Sequence, residues 1–87
     1  MSFGELDPVV LDVDIPGRGL PRQSLGAVVH VHTSDVFEVE FVTASGRTAA
    51  LLTLKASQLR KVTDDDLICV SRIPGSVSPH RWRPRPR

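Results

Sequence analysis

Apolar and polar residues alternate along the segment from 26 to 54, and this period of two predicts two consecutive β-hairpins. The positions predicted to face the core are the odd-numbered ones, namely Ala27, Val29, Val31, Phe37, Val39 and Phe41. A three-residue loop, Thr33 to Asp35, keeps both apolar faces on one side, because a shift of one residue would turn every side chain over. The expected cross-strand pairs are Val31 with Phe37, Val29 with Val39, Ala27 with Phe41, and His30 with Glu38 on the outer face.

The second hairpin is predicted to turn at Ser45 and Gly46, where glycine can take a positive φ. The resulting register is apolar throughout, with Phe41 opposite Ala50, Val39 opposite Leu52 and Phe37 opposite Leu54. On the outer face of the returning strand, Leu51 is less polar than a solvated position should be. Leu51 is therefore a candidate contact for a partner.

The remaining elements complete the pattern of a small all-β fold. A first strand is predicted over 6–15, followed by a Gly- and Pro-rich loop over 16–25. After the two hairpins, 55–58 is too short for an α-helix and favours a single 3₁₀ turn, and 59–62 makes a short closing strand. This order predicts a five-stranded SH3-like barrel over residues 1–66.

The C-terminal part of the chain differs in composition from the predicted barrel. Residues 67–73 (LICVSRI) favour one added strand, which would cover a barrel edge or pair with a partner. Residues 74–87 hold four prolines and few large apolar groups, which predicts an extended or disordered tail. Residues 1–66 contain six basic and ten acidic residues, a formal charge of −4, whereas 67–87 contain five arginines and no acid. Such an asymmetry favours a polyanionic or acidic partner for the tail.

Candidate catalytic and metal-binding residues are few. His30 and His32 lie two apart on one strand face, but Glu38 is the only nearby third ligand, so two solvated histidines are the preferred interpretation and no metal is expected. Cys69 lies in an apolar run, where a thiol usually behaves as a small hydrophobe. We therefore expect no enzymatic activity and no cofactor.

The arginine-rich end, HRWRPRPR over residues 80–87, is the sharpest binding motif. Its guanidinium groups suit phosphates and its indole ring suits stacking on a base, and the residues concerned are Arg81, Trp82, Arg83, Arg85 and Arg87. Contact with nucleic acid, contact with an acidic protein surface, and a tail without a specific role all remain open for this segment.

Four segments, ELDPVVLDVDIP, GLPRQSLGAVVHVH, FEVEFVTASGRT and LLTLKASQLRKV, resemble in order those of the small bacterial domain-of-unknown-function family 4926. The resemblance covers roughly residues 3–62 and implies an SH3-like barrel, with no catalytic residues to carry over. Members of this family resemble cargo of mobile or defence-related gene neighbourhoods, which implies an antitoxin or immunity role. The end of the chain from Ile73 departs from the family pattern.

Two hypotheses about function follow. The preferred one is a non-enzymatic protein-interaction module, of an antitoxin, immunity or accessory type, that binds a partner through Arg18, Leu20, Leu51 and the added strand. The alternative is a nucleic-acid-binding accessory protein that combines a KOW-like barrel with the arginine tail. The acidic barrel favours the first, because a nucleic-acid surface should carry Lys and Arg. Without a signal-peptide or membrane-spanning pattern, a cytoplasmic location is expected.

Overall fold

Five antiparallel strands form one sheet in the computed structural model, which describes residues 3–68. The strands are β1 (Pro8–Leu11), β2 (Leu25–Val31), β3 (Val36–Val42), β4 (Thr48–Lys55) and β5 (Leu59–Lys61), with 3₁₀ turns at Pro16–Arg18 and Ala56–Gln58. Their order in the sheet is β4-β3-β2-β1-β5. The predicted all-β fold of five strands is confirmed. In the part of the chain that the structure describes, β4 and β5 do not pair, so the sheet is open rather than closed.

The hydrophobic core lies against the inner face of the sheet. It is formed by Phe3, Val9, Leu11, Leu20, Val28, Phe37, Val39, Phe41, Ala50, Leu54 and Leu59. Phe37 is fully buried at its centre, and Phe3 packs edge-on against it with a centroid distance of 5.4 Å. Phe3 precedes the first strand, so its place in the core comes from tertiary packing and not from the strand pattern.

The predicted register of the second hairpin is confirmed from Phe37–Leu54 to Phe41–Ala50. The turn differs from the prediction, because Thr43 N–H donates to the Arg47 carbonyl at 2.8 Å and leaves a three-residue loop over 44–46. Gly46 in this loop has a φ of +89°. A bulge after Phe41 absorbs the extra residue and restores the register.

The predicted register of the first hairpin is correct only next to its loop. Val31 lies opposite Phe37 and His30 opposite Glu38, but a bulge at Val29 shifts the rest of β2. Val28, not Val29, lies opposite Val39 and is fully buried, whereas Val29 is 38% exposed. The predicted pairs of Val29 with Val39 and Ala27 with Phe41 are therefore wrong, because the extra residue moves the even-numbered positions to the inner face.

The first strand and its loop are also more irregular than predicted. β1 ends at Leu11, and an isolated bridge between Ile15 and Leu20 folds the following loop back on itself. Leu67 and Ile68 lie in no strand and are exposed, while the rest of the predicted added strand over 67–73 and the tail over 74–87 lie outside the described residues. Among residues 3–68, no helix has the length and apolar character needed to cross a membrane.

Candidate interaction surface

The outer face of β2, β3 and β4 carries a polar network centred on Glu38. One carboxylate oxygen, Oε2, lies 2.8 Å from His32 Nε2, and the other, Oε1, accepts a hydrogen bond of 3.3 Å from Thr53 Oγ1. The rings of His30 and His32 pack edge to face with centroids 4.7 Å apart. The sequence expectation paired Glu38 with His30. The two are opposite in the sheet, but the side-chain contact is made by His32.

This contact favours the ionised form of Glu38. The hydrogen bond from the His32 ring, helped by the Thr53 hydroxyl, holds the pKa of the Glu38 carboxyl below its ordinary value. The contact therefore favours the ionised form of Glu38 further. Within the described residues, no group of three histidine, cysteine or carboxylate side chains is arranged to hold a metal ion.

Glu40 adds a second carboxylate on the same face, next to exposed apolar side chains. It accepts a hydrogen bond of 2.6 Å from Thr48 Oγ1 and forms no ion pair with any residue of the described part. Leu51 lies directly opposite Glu40 and is 50% exposed. Val42, opposite Thr48, is 56% exposed. We call the group formed by Glu38, Glu40, Val42, Leu51 and Thr53 the β3–β4 surface.

The β3–β4 surface ends at β4, the last strand of the described sheet. β4 is eight residues long and, within 3–68, pairs with β3 alone. Ala56 N–H donates to the Asp35 carbonyl at 2.9 Å, and these two residues continue the β3–β4 register by one pair. The bond therefore shows which pairs of the two strands are hydrogen-bonded. In an antiparallel ladder the hydrogen-bonded positions alternate, so Leu52 and Leu54 bond to β3. The backbone groups of Leu51 and Thr53 therefore point away from it.

The opposite edge of the sheet is short and covered. β5 has three residues, and its Lys61 carbonyl accepts a hydrogen bond of 3.1 Å from Arg60 Nη1. The same guanidinium forms a two-point contact with Asp66 at 2.9 and 2.7 Å, and Thr63 N–H also donates to Asp66. These groups hold the pKa of the Asp66 carboxyl well below its usual range, the Arg60 contact being the largest cause.

A shallow groove of about 580 Å³ lies beside this covered edge. Its lining combines apolar, hydroxyl and charged side chains: Phe3, Asp35, Ala56, Ser57, Leu59, Arg60, Lys61 and Thr63. Asp35 is its one carboxylate, and Arg60 is already paired with Asp66, which lies outside the groove lining. Among the described residues that line the groove, none is a histidine that could act as a base for a nucleophile.

The three residues predicted to bind a partner are placed differently. Leu51 is exposed as expected, and Arg18 is exposed at the end of the first 3₁₀ turn. Leu20, in contrast, is 7% exposed and packs in the core, so its side chain is not presented on the surface. In the sheet, β2 and β3 separate β1 from β4, and no hydrogen bond between described residues joins Arg18 to Leu51.

The tail residues predicted to contact nucleic acid lie outside the described residues, and they are Arg81, Trp82, Arg83, Arg85 and Arg87. Glu40, Val42 and Thr53 were not among the site residues predicted from the sequence. Their alternation with the core residues of β3 and β4 places them on the outer face, but the sequence does not show that β4 would be an edge strand.

One open, five-stranded antiparallel sheet with an acidic and apolar outer face defines a small all-β protein. The chain belongs to the family described as Domain of unknown function (DUF4926), whose model matches residues 5–61. The resemblance found in the sequence is thus confirmed. No curated protein and no solved structure matches the chain.

Proposed function

We propose that this protein is a non-enzymatic interaction module that binds another protein through the β3–β4 surface. The observation that supports this most is the position of Leu51, a large apolar side chain that is half exposed beside Glu40 and next to a free strand edge. A contact between proteins usually has an apolar centre and a polar rim. The antitoxin or immunity role implied by the family resemblance would be one case of such binding.

The charge of the described region disfavours nucleic acid as the ligand of this surface. Glu38 and Glu40 lie on it, and the basic residues of the sequence up to residue 66 are outnumbered by acidic ones, ten to six. Phosphates would be repelled at this face. The alternative function therefore rests on the arginine tail alone, and a test must separate the tail from the β3–β4 surface.

The test compares a surface variant with a matched control in the native host. Leu51→Asp adds a charge in the middle of the β3–β4 surface, whereas Leu6→Asp makes the same change at a residue that is 80% exposed and lies before β1. Full-length proteins are recovered without a large tag, and the partner that accompanies the unmodified protein is identified by mass spectrometry. We expect Leu51→Asp to lose it and Leu6→Asp to keep it.

Binding to RNA or DNA is measured with the same full-length proteins. Retardation of a nucleic acid at low salt, lost when the four arginines of the tail from Arg81 to Arg87 are changed to Gln and unaffected by Leu51→Asp, would contradict the proposal. A circular dichroism spectrum for each variant checks that the sheet is intact.

A further inference from the structure

We infer that the free edge of β4 binds an extended, positively charged segment of the partner as a sixth strand of the sheet. This inference rests on the proposed function and names the kind of partner segment that the β3–β4 surface would bind. Strand addition uses two properties of an edge: unpaired backbone groups give affinity, and side chains on alternate positions give specificity.

The backbone of β4 provides the first property. The N–H and C=O groups of Leu51 and Thr53 point to the side on which the described chain has no strand. Natural edge strands are usually protected by charged residues, proline, or a very short length. β4 has eight residues, TAALLTLK, with no proline and no charge before Lys55. Within the described sheet, the β5 edge has only three residues and its Lys61 carbonyl is already bonded by Arg60, so β4 is the edge more open to addition.

The side chains on β3 provide the second property. Glu38 and Glu40 are one strand away from the edge. Each accepts a hydrogen bond from a threonine of β4, Glu38 from Thr53 and Glu40 from Thr48. An added strand would lie about 4.8 Å beyond β4 and about 9.6 Å from β3, a distance that long side chains can cross. Lysine or arginine at the outer positions would then meet carboxylates, of which Glu40 has no cationic partner in the described part.

A second copy of this chain fits the edge less well in the register centred on Leu51. Antiparallel pairing of two β4 strands around Leu51 would set Arg47 opposite the partner copy's Lys55, and like charges directly opposite each other are destabilising. Two such copies would also place two acidic outer faces, each with Glu38 and Glu40, in one continuous sheet, without adding any basic residue to pair with them. Charge complementarity therefore favours a basic segment over self-pairing.

The probe is a blocked, fluorescently labelled nine-residue peptide in which lysine or arginine alternates with valine. Fluorescence anisotropy with the full-length protein gives its Kd, and two-dimensional amide NMR maps the contact. We expect binding that slows hydrogen exchange at the Leu51 and Thr53 amides. A peptide with glutamate in place of each basic residue should show no binding.

N-methylated peptides test whether the backbone pairs. In an antiparallel ladder, residues directly opposite each other share a face and can exchange both hydrogen bonds. The basic residues of a probe that adds antiparallel to β4 would therefore bond to Leu51 and Thr53. N-methylation of the basic residues should therefore weaken binding at least about tenfold, because the donors to β4 are lost. N-methylation of the valines, whose N–H groups point away from β4, is the matched control and should leave the Kd within about twofold.

Protein variants test the charge. The double change Glu38→Gln and Glu40→Gln should weaken binding about threefold to tenfold, as expected for two exposed ion pairs. The matched control, Asp64→Asn and Asp65→Asn, makes the same change in net charge at exposed residues beyond β5 and should change the Kd less than twofold.

Three results would overturn the inference: equal loss from both N-methylated peptides, equal effects of the two double variants, or slow exchange at Leu51 and Thr53 in the free protein. The last would mean that the edge is already occupied by a second copy or by residues 69–87, and light scattering distinguishes these two. If the probe fails while Leu51→Asp still loses the native partner, the inference about the edge is wrong and the proposed function stands.

Discussion

Gly26 is the position at which the core should be least tolerant of one added carbon. It is buried in β2, where the bulge at Val29 turns it toward the inner face. A Cβ at this position would lie 2.8 Å from a ring carbon of Phe41, 2.8 Å from a methyl of Val39 and 3.0 Å from the Glu40 carbonyl oxygen. These distances are well inside ordinary van der Waals contact.

The cost of Gly26→Ala follows from what would have to move. Phe41 and Val39 are both buried and cannot swing into solvent, and the Glu40 oxygen belongs to the backbone of the neighbouring strand. Overpacking of this kind costs about 1 to 3 kcal/mol. The lower backbone entropy of alanine in the unfolded chain offsets about 0.4 to 1 kcal/mol. We expect a net loss of about 1 to 2 kcal/mol.

Thermal unfolding followed by circular dichroism measures this loss. For a domain of this size, 1 kcal/mol corresponds to about 4 to 8 °C, so Gly26→Ala should lower Tm by roughly 5 to 15 °C. Gly17→Ala is the matched control, because a Cβ at Gly17 would meet nothing within 4 Å. It should leave Tm unchanged or raise it slightly.

A second substitution tests whether contact with Phe41 causes the loss of stability in Gly26→Ala. Phe41→Leu removes the ring carbon that the new Cβ would meet, so the penalty of Gly26→Ala should be smaller in the Phe41→Leu background than in the unmodified protein. If Gly26→Ala melts within 2 °C of Gly17→Ala, the close approach of β2 to Phe41 is wrong, and with it the placement of the bulge.

Two further predictions concern the core and the covered edge. Phe37→Ala, at the centre of the core, should cost about 3 to 5 kcal/mol in urea unfolding, whereas Val42→Ala on the outer face should stay within about 0.5 kcal/mol. Asp66→Asn should lower Tm at pH 7. The pKa of the Asp66 carboxyl is lower in the folded protein than in the unfolded chain. The ionised carboxyl therefore contributes its full stabilisation of the fold above its ordinary pKa of about 4, and this contribution is lost as pH falls through the pKa of the folded state. The Tm difference from the unmodified protein should therefore shrink in strong acid, and a constant difference down to pH 2 would refute the role of the Arg60 contact.

Much of the fold is encoded locally. The alternation in β3 and β4, together with the predicted turn at Ser45 and Gly46, was enough to predict the pairs from Phe37–Leu54 to Phe41–Ala50, because a one-residue slip would expose the apolar face. The 3₁₀ turn after β4 was predictable because 55–58 is too short for an α-helix, and the five strands were predictable from the apolar segments between loop residues. Of the proposed surface, the exposure of Leu51 could be read from the sequence.

Other features depend on contacts between distant residues. The bulge at Val29 could not be predicted from β2 alone, because both Val28 and Val29 are apolar and only their packing against β3 decides which one is buried. Leu20 lies in a loop that looked exposed, and its burial follows from the bridge with Ile15. Phe3 enters the core from outside any strand.

The edge of the sheet is the clearest case of a property that only the tertiary structure decides. By itself the sequence determined that β4 is a strand with Leu51 and Thr53 on its outer face. Whether a strand is an edge depends on where the others pair, and here β1 pairs with β2 and with the distant β5, which leaves β4 at the end of the sheet. That order leaves the groups of Leu51 and Thr53 without a partner strand among residues 3–68, because a strand's own residues set the direction of its hydrogen-bonding groups but not which neighbour satisfies them.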